Sequence, residues 1–318
     1  MRLLDLPPEM MGSVLALVPT RSLLACACAC RELRGAAGKV PLRVCMTSQT
    51  SDTIMPWLAL PTVAPRVASL VLRNVFRDPW NPSYAFLEAF AELRVLVVSF
   101  CRVRPGFFRF LPASLEHLDV HMVSGPSVFL ASRVQHLTRL RVLSLVFAPN
   151  VDLVSVSGLG SLPLERLEIS RAQGVAVREA LTVPDLRIHA VESLACEVPL
   201  TARTLMLRCD ASRVPLDAML PRASLASLRC LSVSSPGVTS VPGLEDATAL
   251  TRLALRLDVA ALCVSGLRGL RELDVHAAYG VCVSGGGSLH EDTRVSVTVG
   301  GVPWPANEVR SLFGRPCA

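Results

Sequence analysis

Lysine is the residue that this sequence most conspicuously lacks. Among 32 basic residues only Lys39 is a lysine, so arginine carries nearly all of the positive charge. Asparagine, isoleucine and tyrosine are also scarce. Two interpretations stay open at this point: the codon bias of a GC-rich genome, or avoidance of lysine itself.

Long apolar runs are missing as well. Hydrophobic residues make up 51% of the chain and the mean hydropathy is +0.46. Yet no uncharged apolar stretch approaches the roughly 18 residues that a membrane-spanning helix needs. The start, Met1 to Glu9, carries two acidic residues and no apolar region, so we expect no secretory signal. The apolar content therefore belongs in a folded core, and no membrane partner is expected.

Disulfides and a nucleic-acid footprint are not expected either. The 11 cysteines are odd in number and mostly stand singly in apolar segments. This usage indicates reduced thiols that pack as small hydrophobic side chains, in the cytoplasm or the nucleus. The net charge of +6 divides into +3 in residues 1–45 and +3 over the remaining 273 residues. Neither part resembles a nucleic-acid-binding surface, so we expect no nucleic-acid partner.

What the sequence does contain is one short motif many times over, Leu-x-x-Leu-x-Leu. The second apolar position of each copy, here called the register residue, recurs every 19 to 26 residues. That is the period of leucine-rich repeats. The register residues are Leu70, Leu96, Leu118, Leu143, Leu167, Leu186, Leu205, Leu231, Leu253, Leu273 and Val295.

The spacing within the motif predicts a strand. Residues two apart along a strand point to the same side, so the leucines of each copy face one core. One such strand cannot bury its apolar side alone and must stack on its neighbours. We therefore predict an α/β fold: a leucine-rich-repeat solenoid with a curved parallel sheet of about 11 repeats over residues 67–299.

The segments outside the motif copies predict caps and connections. Residues 46–66 are expected to form a linker or N-terminal cap, and residues 300–318 a C-terminal cap with a short helix over 307–314. Most connections between copies are too short and too rich in proline, serine and valine for helices, so turns or 3₁₀ segments are expected. The longer connection at 83–93 predicts a helix with Phe86, Leu87 and Phe90 facing the core.

Residues 1–45 follow a different, helical pattern. Apolar residues recur at helical spacing, a Pro-Thr pair breaks the run, and Ser22 can cap a second helix. The motifs in this segment are Leu6-Pro7-Pro8-Glu9, Val14-Leu15, Leu23-Leu24 and Cys30-Arg31-Glu32-Leu33-Arg34. In this order they resemble an F-box, with a departure at Ala29, where a larger apolar residue is usual.

The resemblance implies a partner. An F-box is a small three-helix module that docks on a Skp-type adaptor, which binds a cullin ubiquitin ligase. A helical module this short has too little core of its own and leaves an apolar face for a partner. The adaptor-binding residues that the resemblance implies are Leu6, Pro7, Glu9, Val14, Leu15, Leu23 and Leu24.

The repeats also predict a second binding surface. The residues one before, one after and three after each register residue are expected to face the concave side of the sheet. His189, Glu272 and Arg294 are expected on this face as well. The predicted target-binding set is His117, Asp119, His121, Arg166, Glu168, Arg187, Arg208, Arg252, Arg256, Asp274 and His276.

No pattern predicts catalysis or a bound metal. His117, Asp119 and His121 alternate along one strand at roughly 6.6–7 Å, too far apart for two of them to reach one ion comfortably. The Cys-x-Cys-x-Cys segment that begins at Cys26 cannot converge on a metal while helical. No Ser–His–Asp order or phosphate-binding glycine loop is present. We predict no enzyme activity, no cofactor and no metal.

Together these patterns favour an F-box/leucine-rich-repeat protein that serves as the substrate-receptor subunit of an SCF-type ubiquitin ligase. It would recruit a protein target, which the sequence does not identify, through the concave face. Few lysines would then mean few sites of self-modification. The alternative is a non-catalytic leucine-rich-repeat scaffold with no ubiquitin-ligase link. A nucleic-acid binder is weaker, because carboxylates are interleaved with the concave arginines.

Overall fold

The structure is a computed structural model of the 318-residue chain. It describes residues 40–48, 63–75, 84–101, 103–124, 128–149, 151–210, 220–236, 243–264, 267–284 and 292–304, and residues 14, 58, 60 and 289. The chain divides into two compact units. Unit 1 comprises residues 1–122 and 136–140, and unit 2 comprises residues 123–135 and 141–318.

Unit 1 carries a parallel sheet in which the strands follow chain order. The strands are β1 (Leu42–Thr47), β2 (Val67–Arg73), β3 (Val95–Ser99) and β4 (His117–Val123, whose last residue is counted in unit 2). Leu70, Leu96 and Leu118 lie opposite one another across β2, β3 and β4. All three are fully buried. The repeat predicted from the leucine spacing is confirmed here.

The ladder begins one strand earlier than the repeat motif indicated. β1 pairs in parallel with β2, and Val44 lies opposite Leu70. Its residues alternate between buried and solvent-facing, with Leu42, Val44 and Met46 inside. The strand contains no copy of Leu-x-x-Leu-x-Leu, so the repeat motif did not predict it. The boundary expected at residue 45 falls inside this strand.

The connections in unit 1 are 3₁₀ turns that hold an aromatic cluster. They span Ala85–Ala89 and Pro105–Phe110. Where the sequence predicted a helix facing the core, the chain makes a single 3₁₀ segment with Leu87 and Phe90 buried and Phe86 only half-buried. The ring of Tyr84 meets that of Phe107 edge-on, with 5.1 Å between centroids. Edge-to-face packing of this kind is the preferred arrangement of aromatic pairs.

Cys101 connects neighbouring repeats of unit 1. Its Sγ accepts a hydrogen bond from the backbone N–H of Val75 at 3.3 Å and donates to the carbonyl of Ser99, also at 3.3 Å. Cys101 and Val75 each stand five residues past a register leucine. The buried thiol therefore satisfies a backbone donor at the point where the preceding strand ends.

Unit 2 continues the same architecture over a longer sheet. Its strands are β5 (Val128–Leu130), β6 (Val142–Phe147), β7 (Leu153–Ser155), β8 (Arg166–Val177), β9 (Leu181–Thr182), β10 (Asp185–Cys196), β11 (Leu200–Thr201), β12 (Thr204–Cys209), β13 (Cys230–Ser235), β14 (Arg252–Cys263), β15 (Glu272–Ser284), β16 (Arg294–Val299) and β17 (Val302–Pro303). The parallel order is β6-β8-β10-β12-β13-β14-β15-β16, and β17 folds back antiparallel on β16. β9 and β11 form a separate two-stranded sheet.

The register residues of unit 2 form one continuous row across this sheet. Each lies opposite the next, from Leu143 on β6 to Val295 on β16. The leucines of the row are at most 1% exposed, whereas Val295 is half-buried. Stacking of repeats thus builds the core, as the spacing predicted. Short 3₁₀ turns at Ala131–Val134, Arg222–Ser224 and Leu244–Asp246 confirm the expected connections.

Several predictions fall outside the described residues. They are the helices of residues 1–39, apart from residue 14, and the short C-terminal helix at 307–314. Within the part of the chain that the structure describes, no helix is long and apolar enough to cross a membrane.

Candidate functional site

The side chains next to each buried register residue point to the solvent side of the sheet. Positions −1, +1 and +3, counted from the register residue, share that side because side chains alternate along a strand. We call the surface they form in unit 2 the outer sheet face. All of these residues are half-buried or exposed.

Parallel pairing in register turns each position into a row across the strands. The −1 row runs Val142, Arg166, Asp185, Thr204, Cys230, Arg252, Glu272 and Arg294. The +1 row runs Ser144, Glu168, Arg187, Met206, Ser232, Ala254, Asp274 and Ser296. The +3 row runs Val146, Ser170, His189, Arg208, Ser234, Arg256, His276 and Thr298.

One carboxylate on this face holds two arginines. Asp185 Oδ2 accepts from Arg166 Nε at 2.8 Å, across the β8–β10 pair. Arg187, two residues along the same strand, donates to both carboxylate oxygens of Asp185 at 3.1 Å. That hydrogen bonding raises the pKa of Arg187 above its usual value, although burial acts in the opposite direction. The carboxylate of Asp185 therefore holds two guanidinium groups in place on the solvent side of the sheet.

A second carboxylate organises the +3 row where β12 ends. Asp210 contacts His189 Nε2 through Oδ2 at 2.8 Å and Arg208 Nε through Oδ1 at 2.8 Å. Burial is the largest single influence and acts to raise the pKa of Asp210. The hydrogen bonds and charges of His189 and Arg208 together outweigh it, so the pKa is lowered. Asp210 therefore stays ionised and fixes two donors in place.

Two further ion pairs lie near the end of the sheet. Arg252 Nε meets Glu272 Oε2 at 3.2 Å across the β14–β15 pair. On β15 itself, His276 Nε2 lies 3.2 Å from Asp274 Oδ1. Most charges on the outer sheet face are thus already paired with an opposite charge on the same face.

Glu168, Arg256 and Arg294 are the exceptions among the charged residues that the structure describes on this face, and the two arginines stand out because they are cations. Both are exposed and form no ion pair with a described carboxylate. Arg256 lines a cavity of about 380 Å³ at the ends of β13 to β16, together with Ser234, His276 and Thr298. These four residues are consecutive members of the +3 row and supply hydrogen-bond donors side by side.

In unit 1 three residues of the predicted set, His117, Asp119 and His121, lie on β4, and we call them the β4 rung. His121 Nε2 lies 3.1 Å from Asp119 Oδ1. That oxygen is buried and has no aligned hydrogen bond within the described part of the chain. His117 lies opposite Val95 and Asp119 opposite Val97. Within the described residues, no group of three or more histidine, cysteine or acidic side chains is arranged to hold a metal.

The sequence placed the arginines of this surface correctly on the solvent side but missed the groups that hold them. Asp185 and Asp210 are absent from the predicted set. Asp185 occupies a −1 position, one of the three positions expected to face the concave side, so the sequence pattern could have included it. Asp210 lies five residues past Leu205, outside the three positions considered, and only the local sequence Arg-Cys-Asp hints at its contact with Arg208.

Chemically, this arrangement is suited to recognition. Where fixed charges of both signs match those of another surface, such complementarity contributes specificity and association rate more than raw affinity. The described part of the face contributes no aligned nucleophile and base of the kind that acyl transfer requires.

The predicted adaptor-binding residues lie outside the described residues, with one exception. Val14 is helical and 40% exposed. The other six remain predictions from the sequence.

Comparisons with known proteins agree with this organisation. The family profile of the F-box domain matches residues 3–45, which confirms the resemblance read from the motifs. No curated protein matches the chain. Among solved structures 12 chains match. One is a leucine-rich-repeat protein of Leptospira interrogans, with 13% identity, a TM-score of 0.33, and coverage of 89% of this chain and 90% of that chain.

The chain combines an F-box domain, shown by the family profile, with a leucine-rich-repeat-like solenoid, shown by the stacked parallel strands. F-box domains typically bind Skp-type adaptors, and F-box proteins are generally non-catalytic adaptors of ubiquitin ligases. Solenoids of this kind serve as protein-binding surfaces.

Proposed function

We propose that this protein is a substrate-receptor subunit of an SCF-type (Skp–cullin–F-box) ubiquitin ligase. The observation that carries the proposal is the F-box match at residues 3–45. The protein holds no part in the chemistry of ubiquitin transfer. It raises the effective concentration of a bound target beside the ligase, which accelerates an otherwise bimolecular reaction.

The F-box supplies the ligase contact. A short helical module buries little apolar surface by itself, so part of its apolar face is left for the adaptor. The residues proposed for that contact are Leu6, Pro7, Glu9, Val14, Leu15, Leu23 and Leu24. The exposure of Val14 is consistent with such a role.

The outer sheet face, together with the β4 rung, supplies the target contact. Because its carboxylates hold its arginines and histidines in place, a partner meets guanidinium groups that are already oriented and lose little freedom on binding. The residues proposed for target binding are His117, Asp119, His121, Arg166, Glu168, Arg187, Arg208, Arg252, Arg256, Asp274 and His276. A protein surface of mixed charge fits such a face best.

Adaptor binding is tested by co-elution of the purified full-length chain with a Skp-type adaptor. The wild type should form a complex, and Leu6→Asp/Leu15→Asp should abolish it. Leu60→Asp/Val302→Asp is the matched control, because both residues are exposed hydrophobics outside the F-box. A wild type that is folded by circular dichroism and forms no complex would leave the alternative, a binding scaffold with no ubiquitin-ligase link.

Target binding is tested separately in cells. Ubiquitylated proteins that co-purify with the wild type should be lost from Arg187→Glu/Arg208→Glu while the adaptor is still bound. The control is Arg141→Glu/Arg178→Glu, which changes the charge equally away from the three rows of the face. Equal loss in both variants would remove the outer sheet face as the recruiting surface.

The scarcity of lysine gives a further test of the same proposal. A receptor held beside an active ligase is protected from self-modification if it carries few acceptor amines. Exposed arginines replaced by lysine, for example Arg133→Lys and Arg268→Lys, should shorten the half-life of the protein in cells. An unchanged half-life would favour codon bias as the cause.

A further inference from the structure

A row of eight residues, five of them charged, lies where the strands of unit 2 begin. It occupies position −2, the residue two before each register residue. The row runs Arg141, Glu165, Pro184, Arg203, Arg229, Thr251, Arg271 and Thr293. Backbone hydrogen bonds lock successive members together: Arg229 N–H to the Arg203 carbonyl, Thr251 N–H to the Arg229 carbonyl, and Arg271 N–H to the Thr251 carbonyl, each at 2.8 Å.

The two ends of this row differ in charge. At the β6–β8 end, Arg141 NH1 is 3.0 Å from Glu165 Oε1, so the two charges compensate each other. Towards the other end stand Arg203, Arg229 and Arg271, which we call the strand-start arginines. All three are exposed, and none forms an ion pair or a side-chain hydrogen bond with a described residue. Three arginines in this part of the row therefore form no ion pair with a carboxylate of the described residues.

A cavity lies beside Arg271, the last of the strand-start arginines, where β15 and β16 begin. It has a volume of about 580 Å³ and is lined by Arg268, Arg271 and Arg294, with Glu272 and Asp292 as the carboxylates. Arg252 binds Glu272 at 3.2 Å from outside the cavity lining. Counting Arg252, four arginines face two carboxylates, so the positive charge is in excess here too.

We propose that the strand-start arginines and this cavity form a binding site for an acidic polypeptide segment. It adjoins the outer sheet face, with which it shares Glu272 and Arg294. Neighbouring strands lie about 4.8 Å apart, so the three strand steps from Arg203 to Arg271 span roughly 14 Å. An extended peptide covers that distance in about four to five residues at roughly 3.3 Å each. Carboxylates along such a segment meet the guanidinium groups in turn, and one carboxylate enters the cavity beside Arg268 and Arg294.

An acidic polypeptide fits this site better than a nucleic acid does. Sites for single strands combine cationic grooves with aromatic side chains on which bases stack. The exposed aromatic side chains of the described residues are Phe100 and Tyr279. Neither stands at a strand start: Phe100 belongs to unit 1, and Tyr279 lies six residues past Leu273 on β15. Carboxylates, by contrast, need only the guanidinium groups.

The test measures binding of a fluorescein-labelled glutamate dodecamer to the full-length chain by fluorescence anisotropy at 50 mM and 300 mM NaCl. The strand-start variant is Arg203→Gln/Arg229→Gln/Arg271→Gln. The matched control is Arg94→Gln/Arg141→Gln/Arg178→Gln, which removes the same charge from arginines that already hold a glutamate. Circular dichroism shows whether each variant is folded.

The wild type and the control should bind the peptide, more weakly at the higher salt concentration because salt screens exposed charges. The strand-start variant should bind about 3- to 100-fold more weakly, since each of the three exposed contacts contributes about 1.4- to fivefold. If the control variant lost as much affinity for the peptide, the effect would depend on net charge alone, and the proposed site would be wrong. The proposed site would also be wrong if the wild type did not bind the glutamate peptide, or if it bound a labelled oligouridylate dodecamer more tightly than the peptide. Adaptor binding through the F-box is measured independently, so failure here leaves the ligase proposal intact.

Discussion

Asp185 is the side chain whose removal should disturb the outer sheet face most. Its carboxylate is 20% exposed and holds Arg166 at 2.8 Å and both donor atoms of Arg187 at 3.1 Å. Exposed ion pairs contribute about 0.2–1 kcal/mol each, and bidentate geometry lies at the upper end. Asp185→Asn removes both pairs, so we expect the free energy of unfolding to fall by about 1–2 kcal/mol.

Glu165→Gln is the matched comparison. Glu165 holds the single arginine Arg141 at 3.0 Å, and both side chains are about 60% exposed. We expect that variant to lose no more than about 0.5 kcal/mol. Urea unfolding followed by circular dichroism measures both values. The Asp185→Asn effect should shrink in 1 M NaCl, where the screening length is about 3 Å. Equal losses in the two variants, or an effect insensitive to salt, would refute the reasoning.

Three further predictions concern the core, the pH dependence and the thiol of unit 1. Leu253→Ala should lower the free energy of unfolding by about 2–5 kcal/mol because it leaves a cavity in a fully buried row. Ala254→Ser, one residue on and facing solvent, should change it by less than about 0.5 kcal/mol in the same denaturation assay. Because the folded pKa of Asp210 is depressed, its stabilising contribution is complete above the ordinary carboxyl range near pH 4 and is lost as the pH falls through the lower folded value. Asp210→Asn should therefore flatten the acid side of the stability–pH curve, and an unchanged curve would contradict this account. Cys101→Ala should cost about 1–3 kcal/mol by leaving the Val75 N–H unsatisfied, and Cys101→Ser should cost less, because the serine oxygen still accepts that hydrogen bond; equal losses in thermal melts would contradict the proposed role.

The repeat could be predicted from the sequence because its signal is local and periodic. Leu143, Leu167 and Leu186 each occupy the second apolar position of a motif copy, and each is buried in the same row. β1 was missed for the complementary reason. Its alternation of buried and exposed residues over six positions is real but contains no leucine motif, and one short alternating segment is weak evidence for a strand.

The longer connection at 83–93 shows a second kind of failure. Phe86, Leu87 and Phe90 carry a helical spacing, yet the chain makes only the 3₁₀ segment Ala85–Ala89. The edge-on contact of Tyr84 with Phe107, a residue of the next connection, fixes this geometry. A tertiary contact of that kind overrides local propensity.

The sequence by itself determined which residues enter the core and which face solvent, since alternation along a strand is a property of neighbouring residues. It also determined the F-box, whose motifs lie within one short segment. Only the tertiary structure decided which charges meet. Arg166 and Asp185 are 19 residues apart and His189 and Asp210 are 21 apart in the chain. Whether such residues touch depends on the pairing register of adjacent strands, and that register is set by the stacking of whole repeats.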